Sequence, residues 1–268
     1  MKKFCFLFIV VFLVTAALVG CNKQIKDGAY YLYSYDGVSG DFVKSNVYVD
    51  FSDNMSGFKL SIADAYAVYG KVNKNVSGYH LKVSEKVSEE ILGIDDIKKN
   101  NPEAYKQIEE YISAFSFDQT LFVSGKRLFS SSDVYMVKTA DSQNLSSVEG
   151  EYEIMNNDSL RYKFQNGLVY SIDIDDKGKA TQRESASARY VLNDGIITVI
   201  RIDQNGKDVV YEGKTQKISY LFAGIDYPAE YADVELSDDA YSKAIKDDLQ
   251  KIAGKTIAVM ASAFYAKV

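Results

Sequence analysis

The chain has 268 residues, 47% of them hydrophobic and 25% charged, with 31 Lys and Arg against 37 Asp and Glu. These fractions are typical of a folded globular protein and exclude wholesale disorder. The single His, two Cys and absence of Trp leave few side chains for a transition-metal site or a histidine-based catalytic centre. The acidic balance argues against nucleic acid as a partner, because phosphates are neutralised by Lys and Arg clusters.

The first residues form an export signal. Lys2 and Lys3 precede an unbroken apolar run from Phe4 to Val14, which is shorter than the about 20 residues of a membrane-spanning helix. The run leads into Leu18-Val19-Gly20-Cys21. This motif resembles the lipobox of bacterial lipoproteins. The resemblance implies cleavage before Cys21 and a diacylglyceryl thioether on its sulfur.

Processing at the lipobox would define a signal peptide over residues 1–20, a lipidation site at Cys21 and a polar tether over 21–27. It removes Cys5, so the mature chain has no free thiol. It also removes two lysines from the 31 basic side chains, and 29 against 37 acidic ones gives a net charge of −8. The bilayer is then a partner through acylated Cys21. The expected location is the exported side of the cell membrane, on the outer face of a Gram-positive cytoplasmic membrane or in a Gram-negative outer membrane.

Two stretches of the chain begin alike. Gly28-Ala29-Tyr30 and Gly150-Glu151-Tyr152 are each followed by alternating apolar residues. Tyr69 lies 41 residues after Gly28, and Tyr190 lies 40 residues after Gly150. The further matches pair residues 47–50 with 171–175, 65–69 with 186–190, and 78–83 with 195–200. Self-similarity in a fixed order indicates internal duplication, and the alternative is one larger α+β domain.

The predicted fold is α+β and mainly antiparallel β. It has two tandem β-meander or barrel-like modules, each followed by one helix and a closing strand or strands. The first module spans 28–139 with a helix near 102–115, where Asn101 is the cap and Pro102 lies in the first turn. A linker covers 140–147, and the second module spans 148–268 with a helix near 238–253. Residues 256–265 are apolar on both faces and predict one buried strand.

The second module contains the clearest turn signals. Asn166-Gly167 and Asn205-Gly206 favour two-residue hairpins. Its strands are predicted near 151–155, 160–165, 168–174, 180–185, 188–192, 196–202, 208–213 and 216–222. The order Gly150-Glu151-Tyr152, then Tyr190, then Asp194-Gly195-Ile196 resembles small lipocalin-like modules of bacterial surface lipoproteins. That resemblance implies a barrel fold and assigns no ligand-binding residue.

Two segments contain candidate chemical groups. His80 lies in an alternating run, on the face opposite Tyr79 and Leu81, and is interpreted as a solvent-facing strand residue. Asp173, Asp175 and Glu184 fall at positions 1, 3 and 12 of an EF-hand calcium loop. Position 5 is Lys177, however, and the flanks are predicted strands, so a β-turn is the favoured interpretation. No catalytic residue, metal site or cofactor is therefore predicted.

Three functions remain open. The first is a non-enzymatic envelope lipoprotein that serves as a binding or interaction module, with filled barrels and an exposed aromatic patch. The second is a lipocalin-like carrier or sensor of a small apolar ligand, which requires a cavity of several hundred Å³. The third is a carboxylate-based hydrolase, which requires two facing carboxylates in a cleft, one of them with a raised pKa. The first is the favoured hypothesis.

Overall fold

The structure is a computed structural model that describes most of the chain after the predicted signal peptide. The described residues are 25–62, 66–74, 78–85, 94–114, 118–130, 132–139, 145, 147–155, 157–227, 229–230, 246 and 249–268.

Eight antiparallel strands close into a first barrel. Its strands are β1 (Gly28–Asp36), β2 (Asp41–Ser52), β3 (Gly57–Ile62), β4 (Tyr66–Lys74), β5 (Gly78–Glu85), β6 (Asp118–Ser124), β7 (Arg127–Phe129) and β19 (Ala263–Ala266). Between β5 and β6 lie α1 (Ile94–Asn100) and α2 (Pro102–Ala114). The Asn101 side chain accepts the N–H of Ala104 at 3.1 Å. The cap and the helix predicted near 102–115 are confirmed, whereas α1 was missed.

A second sheet also closes on itself. Its strands are β8 (Val134–Lys138), β9 (Gly150–Ile154), β10 (Asn157–Gln165), β11 (Leu168–Ile174), β12 (Ala180–Gln182), β13 (Ala188–Asn193), β14 (Ile196–Arg201), β17 (Lys217–Asp226) and β18 (Thr256–Ala261). The β10–β11 pairing completes the ring, and β12 extends along β11. A separate hairpin consists of β15 (Val210–Tyr211) and β16 (Lys214–Thr215). The predicted mainly antiparallel β fold with two tandem barrel-like modules is confirmed.

Each barrel is closed by a strand from the other predicted module, and the two modules, 28–139 and 148–268, are called the halves of the chain. β19, at the C-terminal end, lies between β1 and β7. β8, which belongs to the N-terminal half, lies between β9 and β18. β8 falls within the predicted module 28–139 and β19 within 148–268, so the sheets do not divide at the predicted linker. Neither half provides all eight strands of its own barrel.

The two barrels have the same cyclic strand order. Starting from β1 and β9, the strands β1 to β7 correspond to β9, β10, β11, β13, β14, β17 and β18, and β19 corresponds to β8. The register between the first two strands of each barrel agrees as well. Gly28 of β1 pairs with Phe51 of β2, and Gly150 of β9 pairs with Phe164 of β10. Such agreement in order and register is what internal duplication predicts.

The closing strands also enter in matching register. Tyr265 of β19 lies opposite Leu32, and Met136 of β8 lies opposite Ile154. Two of the sequence matches, 65–69 with 186–190 and 78–83 with 195–200, fall on corresponding strands. The match of 47–50 with 171–175 is wrong, because it aligns β2 with β11 instead of β10.

A tyrosine fixes the start of each barrel. Tyr30 and Tyr152 are 3% and 0% exposed. The Tyr30 hydroxyl donates to the carbonyl of Lys26 at 2.9 Å, and the Tyr152 hydroxyl donates to the carbonyl of Val148 at 3.0 Å. Each therefore ties the chain entering the barrel to its first strand while its ring fills the core.

The opening glycines leave room for the closing strands. Gly28 and Gly150 have φ of +121° and +139°, a conformation that L side chains rarely adopt. A Cβ on Gly28 would lie 3.1 Å from Nζ of Lys267, and one on Gly150 would lie 2.5 Å from Cε of Lys138. Lys138 is the last residue of β8, and Lys267 directly follows β19. The repeated Gly-x-Tyr signal thus marks where the exchanged strand packs.

Buried side chains fill both barrels and the space between them. The first core includes Val49, Leu81 and Leu121, all 0% exposed. The second core contains Tyr152 and Ile197. A third cluster joins residues of both barrels, and its members include Phe129, Leu221, Ile225, Ile257, Val259 and Phe264. The two barrels therefore share a hydrophobic interface as well as exchanged strands.

The apolar run at 256–265 is two strands, not one. Ser262 separates β18, which belongs to the second barrel, from β19, which belongs to the first. Both faces are apolar because one faces a barrel interior and the other faces the shared cluster. Residues 249–252 are helical, in agreement with the end of the helix predicted near 238–253, but most of that segment lies outside the described residues.

Removing the last strand should open the barrel at the other end of the sequence. We expect a chain ending at Ser262 to lose amide protection in β1 and β7, because β19 is their hydrogen-bond partner. Hydrogen-exchange mass spectrometry measures this. Deletion of Val268 alone, which is 85% exposed, is the control and should preserve protection. Loss of protection in β9 and β18 instead, with β1 and β7 unchanged, would contradict the closure of the first barrel by β19.

Stability should fall between pH 10 and pH 12. Burial, followed by the nearby Tyr190 and Glu149, raises the pKa of Tyr152 to about 12. The unfolded chain then loses this proton near pH 10 while the folded chain keeps it, so rising pH favours unfolding. Tyr152→Phe should make the free energy of unfolding depend less on pH in this range. At neutral pH the variant should have a free energy of unfolding about 1 kcal/mol lower, because it lacks the hydrogen bond of the hydroxyl.

Urea unfolding at a series of pH values tests this expectation. Tyr211→Phe is the matched control, since Tyr211 is 65% exposed and its substitution should leave the curve unchanged. A Tyr152→Phe variant with the same alkaline fall as the parent chain would show that Tyr152 is not the titrating group.

Candidate functional site

The predicted lipidation site lies outside the described residues, which begin at Ile25. Ile25 is 4% exposed and belongs to the core of the first barrel. The adjoining Asp27 accepts a hydrogen bond from Nζ of Lys267 through its carbonyl at 2.6 Å. The tether from Cys21 would therefore join the barrel directly at the start of β1. No helix among the described residues is long and apolar enough to cross a membrane.

The candidate calcium ligands lie on a hairpin between β11 and β12. Both Asp173 oxygens accept bonds from the Arg183 guanidinium at 2.8 and 2.9 Å. The Asp175 carboxylate accepts the backbone N–H groups of Lys177 and Lys179. These bonds build a β-turn and an ion pair, and the described residues contain no group of three or more His, Cys, Asp or Glu able to hold a metal. The structure does not bring Glu184 into such a group.

The structure gives His80 partners that the sequence did not reveal. Its Nε2 lies 2.9 Å from Oδ1 of Asp118, and its Nδ1 lies 3.3 Å from Oγ1 of Thr120. A carboxylate, an imidazole and a hydroxyl in one chain of contacts is the arrangement that hydrolases use to activate a nucleophile. The cluster lies on the outside of β5 and β6, however, with the His80 and Asp118 side chains 34% and 52% exposed.

The second barrel explains the His80 contact as a structural feature. Thr198 and Ser219 are cross-strand partners on the strands that correspond to β5 and β6, and their hydroxyls are hydrogen-bonded at 2.8 Å. A polar pair across these two strands is therefore common to both barrels. Because it recurs without an imidazole, the pair is better explained by strand pairing than by catalysis.

The described carboxyl groups whose pKa clearly shifts have it lowered. The pKa of Asp173 is lowered by its hydrogen bonds from Arg183. The pKa of Asp208 is lowered in the same way by Arg189. The Asp36 pKa is lowered chiefly by a backbone N–H of the β1–β2 turn. Groups of this kind stay ionised near neutral pH and do not serve as general acids.

The β1–β2 turn of the first barrel and the separate β15–β16 hairpin meet at one surface. The exposed apolar residues there are Val38, Val43, Val210, Tyr211 and Ile218, with 76, 50, 58, 65 and 37% of their surface accessible. We call these five residues the hairpin surface. Val38 lies in the β1–β2 turn, and Tyr211 lies on the β15–β16 hairpin. Clusters of exposed large apolar side chains are typical of interaction sites.

Direct contacts hold the two tips together. The Tyr35 hydroxyl donates to the carbonyl of Lys217 at 2.9 Å. Nζ of Lys214 lies 3.4 Å from the carbonyl of Val38. A Cβ on Gly40 would lie 2.8 Å from Cε of Lys217, so the β1–β2 turn abuts the start of β17. The hairpin surface is thus built jointly by the two halves of the chain.

Sequence reasoning missed the hairpin surface. Residues 208–213 were predicted as a barrel strand because they follow Asn205-Gly206 and contain Val209, Val210 and Tyr211. In the structure β15 is a two-residue strand that pairs with β16, and Asp208 forms an isolated bridge with Ile202. The detectable signal was an apolar pair in a segment rich in charged residues.

Comparison with protein-family models, with curated protein sequences and with solved structures finds no match for this chain.

Proposed function

We propose that this protein is a lipid-anchored bacterial envelope lipoprotein that acts as a non-enzymatic interaction module. The hairpin surface is the observation that carries the proposal, because it is an exposed apolar patch on a scaffold whose barrel axes are filled by side chains. The Leu18-Val19-Gly20-Cys21 motif supports the anchor. The lipocalin-like resemblance stays a prediction.

The position of the hairpin surface favours a protein partner over the bilayer. The tether enters at Gly28, whereas Val38 lies beyond the other end of β1. A nine-residue strand spans about 30 Å at the usual rise of ~3.3 Å per residue. An anchor at Cys21 would therefore hold the hairpin surface away from the membrane, toward other envelope proteins.

The two alternatives receive less support. A carrier of an apolar ligand needs an empty barrel axis, but side chains such as Phe51, Leu121 and Phe164 occupy these axes. A carboxylate hydrolase needs a carboxyl group with a raised pKa, and the clear shifts among the described carboxyl groups are downward.

The anchor predicts a modified N-terminus. Mass spectrometry of the protein isolated from native membranes should find Cys21 as the first residue, carrying a diacylglyceryl group. Cys21→Ser should release the protein from the membrane fraction, because two acyl chains supply the stable anchoring. A mature N-terminus at any other residue would disprove lipidation at Cys21.

Polar substitutions on the hairpin surface should weaken partner binding. Val38→Ser with Tyr211→Ser removes two exposed apolar side chains and should reduce affinity for the partner about tenfold or more. Cross-linking mass spectrometry on intact cells can compare the neighbours captured by each variant.

The matched control is Val191→Ser, a similar change at a valine that is 51% exposed and lies outside the hairpin surface. It should capture the same neighbours as the parent chain. Equal capture by the double variant would show that the hairpin surface is not the binding site.

A further inference from the structure

A cavity of about 490 Å³ opens at the rim of the second barrel. It lies where β8 starts and β9 ends. Its lining combines three tyrosines, one carboxylate and an apolar floor: Tyr135, Tyr162, Tyr227, Asp133, Val134 and Ile154. The volume falls within the range of about 300–1,000 Å³ that is usual for small-molecule sites.

A fourth tyrosine lies near this rim. Burial raises the pKa of Tyr220, and the neighbouring Asp133, Tyr35 and Tyr162 raise it further. Tyr162 and Tyr220 both pack against the second core from the barrel side. The rim thus gathers aromatic rings and one negative charge.

The first barrel serves as an internal comparison. Val49 of β2 lies opposite Tyr30, and Tyr162 of β10 lies opposite Tyr152. Since Tyr30 and Tyr152 are equivalent, Val49 corresponds to Tyr162. Both Val49 and its neighbour in the core, Leu121, are 0% exposed.

The matching rim of the first barrel is closed by packed rings. By the register of the closing strands, Tyr135 and Met155 correspond to Phe264 and Tyr33, whose rings stack 5.6 Å apart.

Asp133 is held in place with part of its carboxylate available. Its Oδ2 accepts the backbone N–H of Ser262 at 2.6 Å, and its own N–H donates to the carbonyl of Met260 at 2.8 Å. Its Oδ1 has no hydrogen-bond partner among the residues that the structure describes. The described lining of this cavity contains no Lys or Arg.

We propose that this cavity binds a small organic cation of the quaternary ammonium class. The faces of aromatic rings are negative and attract cations, and quaternary ammonium groups suit tyrosine-lined sites because they need no hydrogen-bond acceptor. Asp133 supplies the complementary charge, and Val134 and Ile154 contact the methyl groups. The site depends neither on the lipid anchor nor on the hairpin surface.

Choline and its uncharged isostere 3,3-dimethyl-1-butanol test this proposal on the full chain by isothermal titration calorimetry. The two probes have nearly the same shape and differ in charge. We expect choline to bind at least about tenfold more tightly than the isostere, since a cation–π contact and an ion pair distinguish them.

Two variants locate the site. Asp133→Asn keeps an acceptor for Ser262 but removes the charge and should weaken choline binding about tenfold. Tyr162→Val installs the residue of the first barrel and should also weaken it. Asp176→Asn, on the exposed β11–β12 turn, is the matched control and should bind choline as the parent chain does. Thermal melts show whether each variant is folded.

Several results would overturn the proposal. They are equal binding of choline and its isostere, heat from choline no greater than that from sodium chloride at the same ionic strength, or unchanged choline binding in both Asp133→Asn and Tyr162→Val. Preferential binding of a neutral sugar such as methyl glucoside would also overturn it, because tyrosine hydroxyls would then act as hydrogen-bonding groups.

Discussion

The rest of the structure depends on the closure of each barrel by a strand from the other half of the chain. An open sheet would expose a row of unpaired backbone groups on β1 and β7, and a second row on β9 and β18. β19 and β8 cover these edges in matching register. The exchange also brings Phe264 and Tyr135 into the apolar cluster between the barrels. Hydrogen bonding and apolar burial therefore both link the two halves.

Both candidate surfaces lie at junctions between parts of the chain that are far apart in sequence. The hairpin surface needs β1–β2 of the first barrel and the separate β15–β16 hairpin, with Tyr35 bridging to Lys217. The rim cavity is lined by Asp133 and Val134 at the start of the exchanged strand β8. Asp133 in turn fixes Ser262, the residue between β18 and β19. The start of the closing strand β8 thus shapes the cavity for which we propose a ligand.

Much of the fold could be predicted from the sequence. Gly-x-Tyr at residues 28 and 150 marked two equivalent strands, Asn166-Gly167 marked a hairpin, and Asn101 and Pro102 marked the start of α2. The exchange could not be predicted, because alternation indicates which face of a strand is buried but not which barrel the strand enters. The run 256–265 shows this limit, since its apolar residues fit one buried strand as well as two strands broken at Ser262. The sites were harder still, because Tyr135, Tyr162 and Tyr227 are far apart in sequence and meet only through the topology.

Disulfide trapping tests the exchange most directly. The chain without residues 1–20 and with Cys21→Ser has no thiol, so two introduced cysteines can react only with each other. Leu32 lies opposite Tyr265 in the exchanged arrangement, at a cross-strand separation that suits a disulfide. If each half closed its own barrel, Met136 would occupy the place of Tyr265 beside Leu32. The account predicts rapid oxidation of Leu32→Cys with Tyr265→Cys and little with Met136→Cys, and the reverse result would contradict it.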